Sequence, residues 1–559
     1  MCYKSQDKNF DDDILSKSPA LYTIRFVVIL FFSNLGMMRN DRPDYLKFSA
    51  GHFFIPLVFS GLVLGGCSSA PVPQTENGSG TVDVQSVASV DTLNKVLEES
   101  AVSSASGIPD SYKDIQFPQF VYTAPHPKDY RVEIAPGISG YIASDRSLPL
   151  VNFTVYFEES TLPETIKDEA ASSMVGSMLR RGAGGGITPH DLDDTLEFIS
   201  AGIGTSADTY TSMFDIDCLS KDFGNMLELS KKVLTAPAFD KDQLEIVKAN
   251  LVTSYDRRYD TPAKVLSALK AKVNYAPNPR LWDANSEEYK AVTVEDVRRL
   301  AAGTYSSRKI VFALSGDVDR DSSIAVLKDF FAGWNVAPVG RKPAPTPLSF
   351  LRKPGIYVVD KDISQANISI NQPFVKRPHE DYYPAAVASF ILGGGSFTSR
   401  LMNRVRSDEG LAYSVYSSVG NSYRDTAMVT IALQTKVESV DFALKLVYEE
   451  VDKLAKDGPT EEELAQAKKA LIESLPSLFD SPSSTAIIFA KGELQGKSLD
   501  HYLDYVKEIN AVTSEQVKAM IVKYFDKDKM TTSIVAPVAK LDALKPFTVV
   551  PLDSLEFRN

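Results

Sequence analysis

Cysteine is nearly missing from this chain. In 559 residues there are three, Cys2, Cys67 and Cys218, so the body has no disulfide framework and no Cys cluster to hold a structural zinc. Histidine is almost as scarce: His52, His126, His190, His379 and His501. His52 lies in an apolar N-terminal run, and no two of the others are near in sequence, so no paired imidazoles are available to a metal. His190 follows Thr188-Pro189, a helix-start signal, and reads with Asp191 and Asp193 as a capping and loop residue. Positive charge is also short. The net charge is −12 with no basic stripe, which argues against nucleic acid as a partner. Gly184-Gly185-Gly186 has no preceding strand and is not a nucleotide loop.

What is present is an ordinary globular composition, 44% hydrophobic and 24% charged, on a chain too long for one core. It repeats itself. AVTVEDVRRLAAGTYSSRKIVFALSGDV from Ala291 aligns without gaps to AVTSEQVKAMIVKYFDKDKMTTSIVAPV from Ala511, and the helical segments KDQLEIVKANLVTS and EEELAQAKKALIES precede them at the same offset. The expectation is an α+β fold of two homologous tandem domains, each a mainly antiparallel sheet with helices on one face. They would occupy residues 118–337 and 356–559. A linker at 338–355 carries five prolines (338, 343, 345, 347 and 354) with Arg341, Lys342, Arg352 and Lys353, and reads as stiff and extended.

The N-terminus reads as an address. Residues 50–66, AGHFFIPLVFSGLVLGG, suit a signal-peptide apolar region and end at Cys67. Leu64-Gly65-Gly66-Cys67 resembles the lipobox of bacterial lipoproteins. That implies acylation of Cys67 and a lipid-anchored protein of the bacterial cell envelope facing the periplasm. Ser68 and Ser69 resemble outer-membrane sorting. Residues 1–67 are thus the signal and lipoprotein segment, with 1–36 read as an over-extended start ahead of Met37 or Met38. Residues 68–117 are rich in Ser, Val, Gly and Asp and read as a flexible tether.

The most informative stretch is Leu392 to Ser418, LGGGSFTSRLMNRVRSDEGLAYSVYSS. Gly393, Gly394 and Gly395 are too permissive for a helix interior. Phe397 to Glu409 has helical spacing at Leu401, Met402 and Val405, with Gly410 as the C-terminal cap. Leu411 to Ser418 alternates as a strand, placing Leu411, Tyr413 and Val415 on one face. Arg406 and Tyr413 are joined by a tight connection. The plain reading of each is structural: an arginine favours a last helical turn through the helix dipole, and a strand tyrosine is commonly half-buried packing.

With its glycine loop, SRL and GLAY, this stretch resembles the C-terminal domain of pitrilysin-type zinc peptidases, the insulinase class that includes the mitochondrial processing peptidase. Weaker similarity extends over most of the chain from about residue 130. The resemblance implies tandem domains of this size. It also implies that Arg406 and Tyr413 bind substrate opposite a zinc ion, Tyr413 donating a hydrogen bond to an oxyanion, with Gly393, Gly394, Gly395 and Ser396 lining the substrate path.

The same family carries His-x-x-Glu-His on a first-domain helix, two imidazoles for the zinc and a carboxylate for its water. Aligning Gly182-Ala183 with the family's Gly-Thr puts Ser173, Gly176 and Ser177 at those positions, and Ser254 near the third ligand. None of these can replace an imidazole or a carboxylate at zinc. The expectation is therefore a chain without a cofactor of its own, whose zinc sits in a His-x-x-Glu-His-bearing partner subunit. The pair would act on unfolded peptide, and the anchor on Cys67 would meet lipid. The alternative is a non-catalytic scaffold or assembly protein of the same fold. The missing ligands argue against an active peptidase on its own.

Overall fold

The computed structural model describes residues 122–558 apart from 159–162, 303–304, 306–308, 333, 335–345 and 352. Cys67, the tether and the basic linker residues Arg341, Lys342 and Arg352 lie outside the described residues.

The first half begins with a one-turn helix, α1 (Pro127–Tyr130), and three strands, β1 (Arg131–Ala135), β2 (Ile138–Ser144) and β3 (Leu150–Phe157). Helices α2 (Ile166–Arg181) and α3 (Pro189–Phe198) follow, then β4 (Gly202–Ala207) and β5 (Ser212–Leu219). Helices α4 (Phe223–Thr235), α5 (Lys241–Asp256), α6 (Pro262–Asn274), α7 (Ser286–Lys290) and α8 (Val294–Ala301) lead to β6 (Ile310–Gly316) and α9 (Arg320–Phe331). Thr165 and Thr188 cap α2 and α3 by accepting from the backbone amides of Asp168 and Asp191. His190 sits inside α3, pairing with Asp194 one turn on at 3.1 Å.

The second half opens on β7 (Gly355–Asp360) and β8 (Gln365–Phe374), then α10 (Tyr382–Ser389), β9 (Ala412–Val419) and β10 (Ala427–Lys436). It closes with α11 (Val440–Asp457), α12 (Glu461–Glu473), α13 (Pro482–Leu494), α14 (His501–Ala511), α15 (Ser514–Tyr524), β11 (Thr531–Ala536) and β12 (Thr548–Val549).

The two sheets have one plan. Their strand orders are β1-β2-β6-β3-β5-β4 and β12-β7-β11-β8-β10-β9. In each, the late strand pairs parallel to an early strand (β6 with β2, β11 with β7) and antiparallel to its other neighbour. The repeat reaches further than its two best segments. With the same offset of 220, α6 maps onto α13, and both begin with proline after a hydroxyl cap, Thr261 and Ser481.

Strand alternation explains how both faces are covered. In β6, Ile310, Phe312 and Leu314 face a core built with α3, α4 and α9, while Val311 and Ala313 face the opposite way. That second face is covered by Ala486, Phe489, Ala490 and Leu494 of α13, a helix of the other half. Reciprocally, Val359 and Val535 on the back of the second sheet are covered by Val265, Leu269 and Val273 of α6. So each half keeps its own helices on one face, as expected, and lends one equivalent helix to its neighbour's other face.

Polar contacts fasten this exchange. Glu493 of α13 accepts from Arg131 Nε and Nη2, both at 3.1 Å, and from Ser139 Oγ and Tyr141 OH, both at 2.7 Å. Asp425, between β9 and β10, is held by Arg280 at 2.9 and 2.8 Å and accepts from Tyr210 OH at 2.6 Å. Burial alone would raise the Asp425 pKa, but the Arg280 and Tyr210 hydrogen bonds hold it below the usual carboxylate range.

Candidate functional site

The site is built on the second half's edge strand and the segment that leads into it. Helix α10 does not stop at the glycines, as the sequence suggested. It continues through Phe390–Gly394 as a wide turn closed by Gly395 N–H donating to Phe390 O at 2.8 Å. Glycine is required there for packing: a Cβ on Gly393 would sit 2.5 Å from Ser417 N on β9. The close backbone approach is thus to the chain's own edge strand. Gly394 is exposed, Gly395 packs beside Phe390, and Ser396 opens a short 3-10 turn, Ser396–Thr398.

The segment after it is pinned at its start. Arg400 grips Glu463 of α12 with two bonds of 2.7 Å and donates to Gly458 O at 3.1 Å. Leu401, Met402 and Val405 are buried, as their spacing implied. The helix is wider than expected, since Met402–Asp408 follows an i→i+5 pattern. Such turns insert one residue and are enriched at functional sites. Gly410 ends it at φ +64, where a side chain would be strained rather than crowded.

A second insertion follows at once. Along β9, Tyr416, Val415 and Ser414 face Ala432, Leu433 and Gln434 of β10, and then Ala412 faces Thr435. Tyr413 has no opposite residue and is the extra residue of a β-bulge. The expected shared face of Tyr413 and Val415 is therefore wrong. Val415 is fully buried in the core and Tyr413 is 77% exposed.

The two insertions bring Arg406 and Tyr413 together, and add a residue that sequence reasoning missed. The Arg406 guanidinium carbon lies 4.9 Å from the Phe397 ring centre and 5.8 Å from that of Tyr413. Its Nη1 is 3.8 Å from Met402 Sδ. Phe397 is 66% exposed. Arg406 forms no ion pair among the described residues, so its guanidinium lies beside two exposed rings without a carboxylate partner there. The signal for Phe397 was a large aromatic between the glycines and SRL, where no apolar periodicity calls for one. The cluster contains no nucleophile and no base. It is equipped to bind a carbonyl or an anion.

The zinc positions of the first half fit no metal. Ser173 and Ser177 lie on α2, and Ser254 on α5, which packs against α2 through Met174, Met178, Leu244 and Val247. Ser173 Oγ is 3.4 Å from Glu169 Oε1, and Ser177 is exposed. Gly176 lies flush on β4. Thr205 Oγ1 donates to Gly176 O at 2.6 Å, and a Cβ on Gly176 would meet Ala207 N at 2.8 Å. The place where a catalytic carboxylate would leave the helix is filled by backbone. Among the described residues no group of three His, Cys, Asp or Glu side chains is placed to hold a metal.

Residues 291–471 match the family model described as the Peptidase M16 inactive domain. The chain is 27% identical over 310 residues to the "Non-peptidase homolog YmxG" of Helicobacter pylori, covering 55% of this chain and 70% of that protein. It is 28% identical over 300 residues to the "Uncharacterized zinc protease YmxG" of Bacillus subtilis, covering 52% and 70%. The fold matches the crystal structure of a peptidase M16 inactive domain from Pseudomonas fluorescens with a TM-score of 0.63 at 24% identity, over 73% of this chain and 97% of that one.

Proposed function

We propose, from the match of residues 291–471 to the Peptidase M16 inactive domain and the similarity to the relatives above, that this chain is the metal-free half of a two-subunit zinc peptidase. Arg406, Tyr413 and Phe397 form its contribution. The observation that carries the reading is the Arg406 guanidinium held beside two exposed rings. An arginine that is fully buried is ordinarily paired; Arg406 is half-exposed with no ion pair among the described residues, and its open side serves a ligand outside the chain. Arg406 holds a peptide carbonyl, and Tyr413 donates its hydroxyl proton as a hydrogen bond to the oxygen that gains charge. Phe397 gives the flanking side chain an apolar seat. The zinc belongs to the partner, a relative with His-x-x-Glu-His, because Ser173, Gly176, Ser177 and Ser254 fit no metal.

The substrate is an unfolded peptide, which offers free backbone carbonyls and can lie along an edge strand such as β9. The chain works at the bacterial cell envelope facing the periplasm, tethered through acylated Cys67.

Copurification tests the pairing. The full chain, expressed with a His-x-x-Glu-His relative encoded beside it, is expected to elute as a complex with one zinc per two chains and none on this chain alone. Separate elution sinks the proposal. The second reading, a scaffold of the same fold, is favoured by Gly176 being sealed against β4. It expects a stable complex whose peptide cleavage ignores Arg406→Ala.

A further inference from the structure

We propose that a cleft of about 850 Å³ in the second half, floored by Arg377, Lys497 and His501, is a binding site for a single carboxylate group on a small ligand. The cleft lies between the β8–α10 connection, Tyr423 of the β9–β10 connection, and the α13–α14 connection with α14 itself. No residue of the Arg406 cluster lines it. The proposal does not rest on the split-peptidase reading.

Its floor holds positive charge without a counterion. Arg377 is 5% exposed and forms no ion pair among the described residues. Its Nη1 donates to Asn421 Oδ1 at 2.8 Å and its Nη2 to Tyr383 OH at 3.2 Å, but its buried Nε has no hydrogen-bond partner among the described residues. The guanidinium stacks 3.6 Å from the Tyr382 ring centre and lies 4.8 Å from that of Tyr423. Lys497 Nζ approaches the same Tyr423 ring at 5.2 Å and Tyr502 at 5.9 Å, again with no ion pair among the described residues. His501 packs edge-on against Tyr423 and Tyr502. Ring faces soften such charges, but a buried cation ordinarily has an anion as its partner.

Burial first, and mutual repulsion second, lower the basic groups of the floor. Burial, then the charge of Arg377, brings Lys497 down to about 8. Burial, then Lys497 and Arg377, brings His501 down to about 3. Helix α14 adds its N-terminus here. Its cap residue, Asp500, makes no capping bond and instead meets His126 Nε2 at 3.0 Å. Uncapped first-turn amides favour an anion.

The rim decides which anion. Glu380, Asp504 and Glu508 line the same cleft, are exposed, and pair with neither Arg377 nor Lys497. They repel a polyanion and leave room for one negative charge at the floor. Tyr383 and Tyr423 offer walls for an apolar body. A smaller recess of about 240 Å³ shares Lys497, Ser498 and His501 and extends the floor toward Tyr141 and Phe489. A carboxylate on an apolar body, such as the C-terminus of a short peptide, fits this arrangement.

The test follows Lys497 in the full chain by NMR of ¹³C-methylated lysines, with Lys497→Met assigning the signal. The probes are an N-acetylated dipeptide with a free C-terminal carboxylate, its C-terminal amide, and inorganic phosphate. The free acid is expected to raise the Lys497 midpoint from about 8 by about one unit or more, with no shift from the amide. Lys497→Met is expected to weaken the acid's binding about tenfold, the loss of one charge-assisted contact. Arg377→Gln also removes a side chain packed on tyrosines, so the lysine variant carries the test. Equal shifts from acid and amide, no shift from either, or a response to phosphate alone would overturn the assignment.

Discussion

The two halves carry the same device, and only one of them is open. In the first, α2 lies on edge strand β4 with Gly176 at the contact. In the second, the turn after α10 lies on edge strand β9 with Gly393 at the contact. The distances from an added Cβ to strand backbone are alike, 2.8 Å to Ala207 N and 2.5 Å to Ser417 N. What differs is the chain between helix and strand. The first half returns by a regular helix, α3, and a bulge-free β4–β5 register. The second inserts a residue in the wide turn Met402–Asp408 and another at Tyr413. Those two residues turn a packed edge into one that presents Arg406, Tyr413 and Phe397. A duplicated scaffold can thus close one edge by packing and open the other by local irregularity.

The largest expected effect comes from breaking the fastening that fixes the two halves together. Asp425→Ala leaves Arg280 buried and unpaired, so a loss of about 3–5 kcal/mol is expected in chemical denaturation. The pH dependence has a definite sign. The folded-state pKa of Asp425 is depressed, so its stabilisation is full above the unfolded value of about 3.9 and is lost as pH falls through the folded one. The gap between wild type and Asp425→Asn is therefore expected to be constant near neutrality and to shrink below about pH 4. A gap that widens in acid contradicts the assignment.

Next in size are the two glycines. Gly176→Ala and Gly393→Ala each drive a methyl into strand backbone, and each is expected to cost about 1–3 kcal/mol. Restoring the metal motif as Ser173→His, Gly176→Glu and Ser177→His is expected to bring the same loss with no zinc retained after dialysis. A stable, zinc-loaded triple variant would show that β4 does not seal the position.

How much of this was legible follows the same line. The duplication, the missing metal ligands and the stretch from Gly393 to Tyr413 are carried by side-chain identity, which a sequence displays directly. The wide turn and the bulge are not, because a one-residue insertion leaves hydrophobic spacing nearly intact while turning Tyr413 away from Val415. The reciprocal covering by α6 and α13 was hidden for another reason. Pro262 and Pro482 stand at the first position of both helices, the second of which the sequence reading missed, and nothing local says which sheet they cover. Arg377, Lys497 and His501 come from separate connections, and only the tertiary fold places them in one cleft.

The smallest stability effect is expected where the functional effect is greatest. Arg406→Ala removes a half-exposed side chain that makes no ion pair among the described residues, so its unfolding free energy is expected to stay within about 0.5 kcal/mol of wild type. A larger loss would return Arg406 to a packing role.

The most direct test of the central claim is cleavage of an unstructured peptide by this chain together with a His-x-x-Glu-His relative, against each chain alone. Activity from the pair only, falling at least about tenfold with Arg406→Ala or Tyr413→Phe as expected for a lost transition-state donor, is the predicted result. A relative fully active by itself, or a pair indifferent to both substitutions, contradicts it.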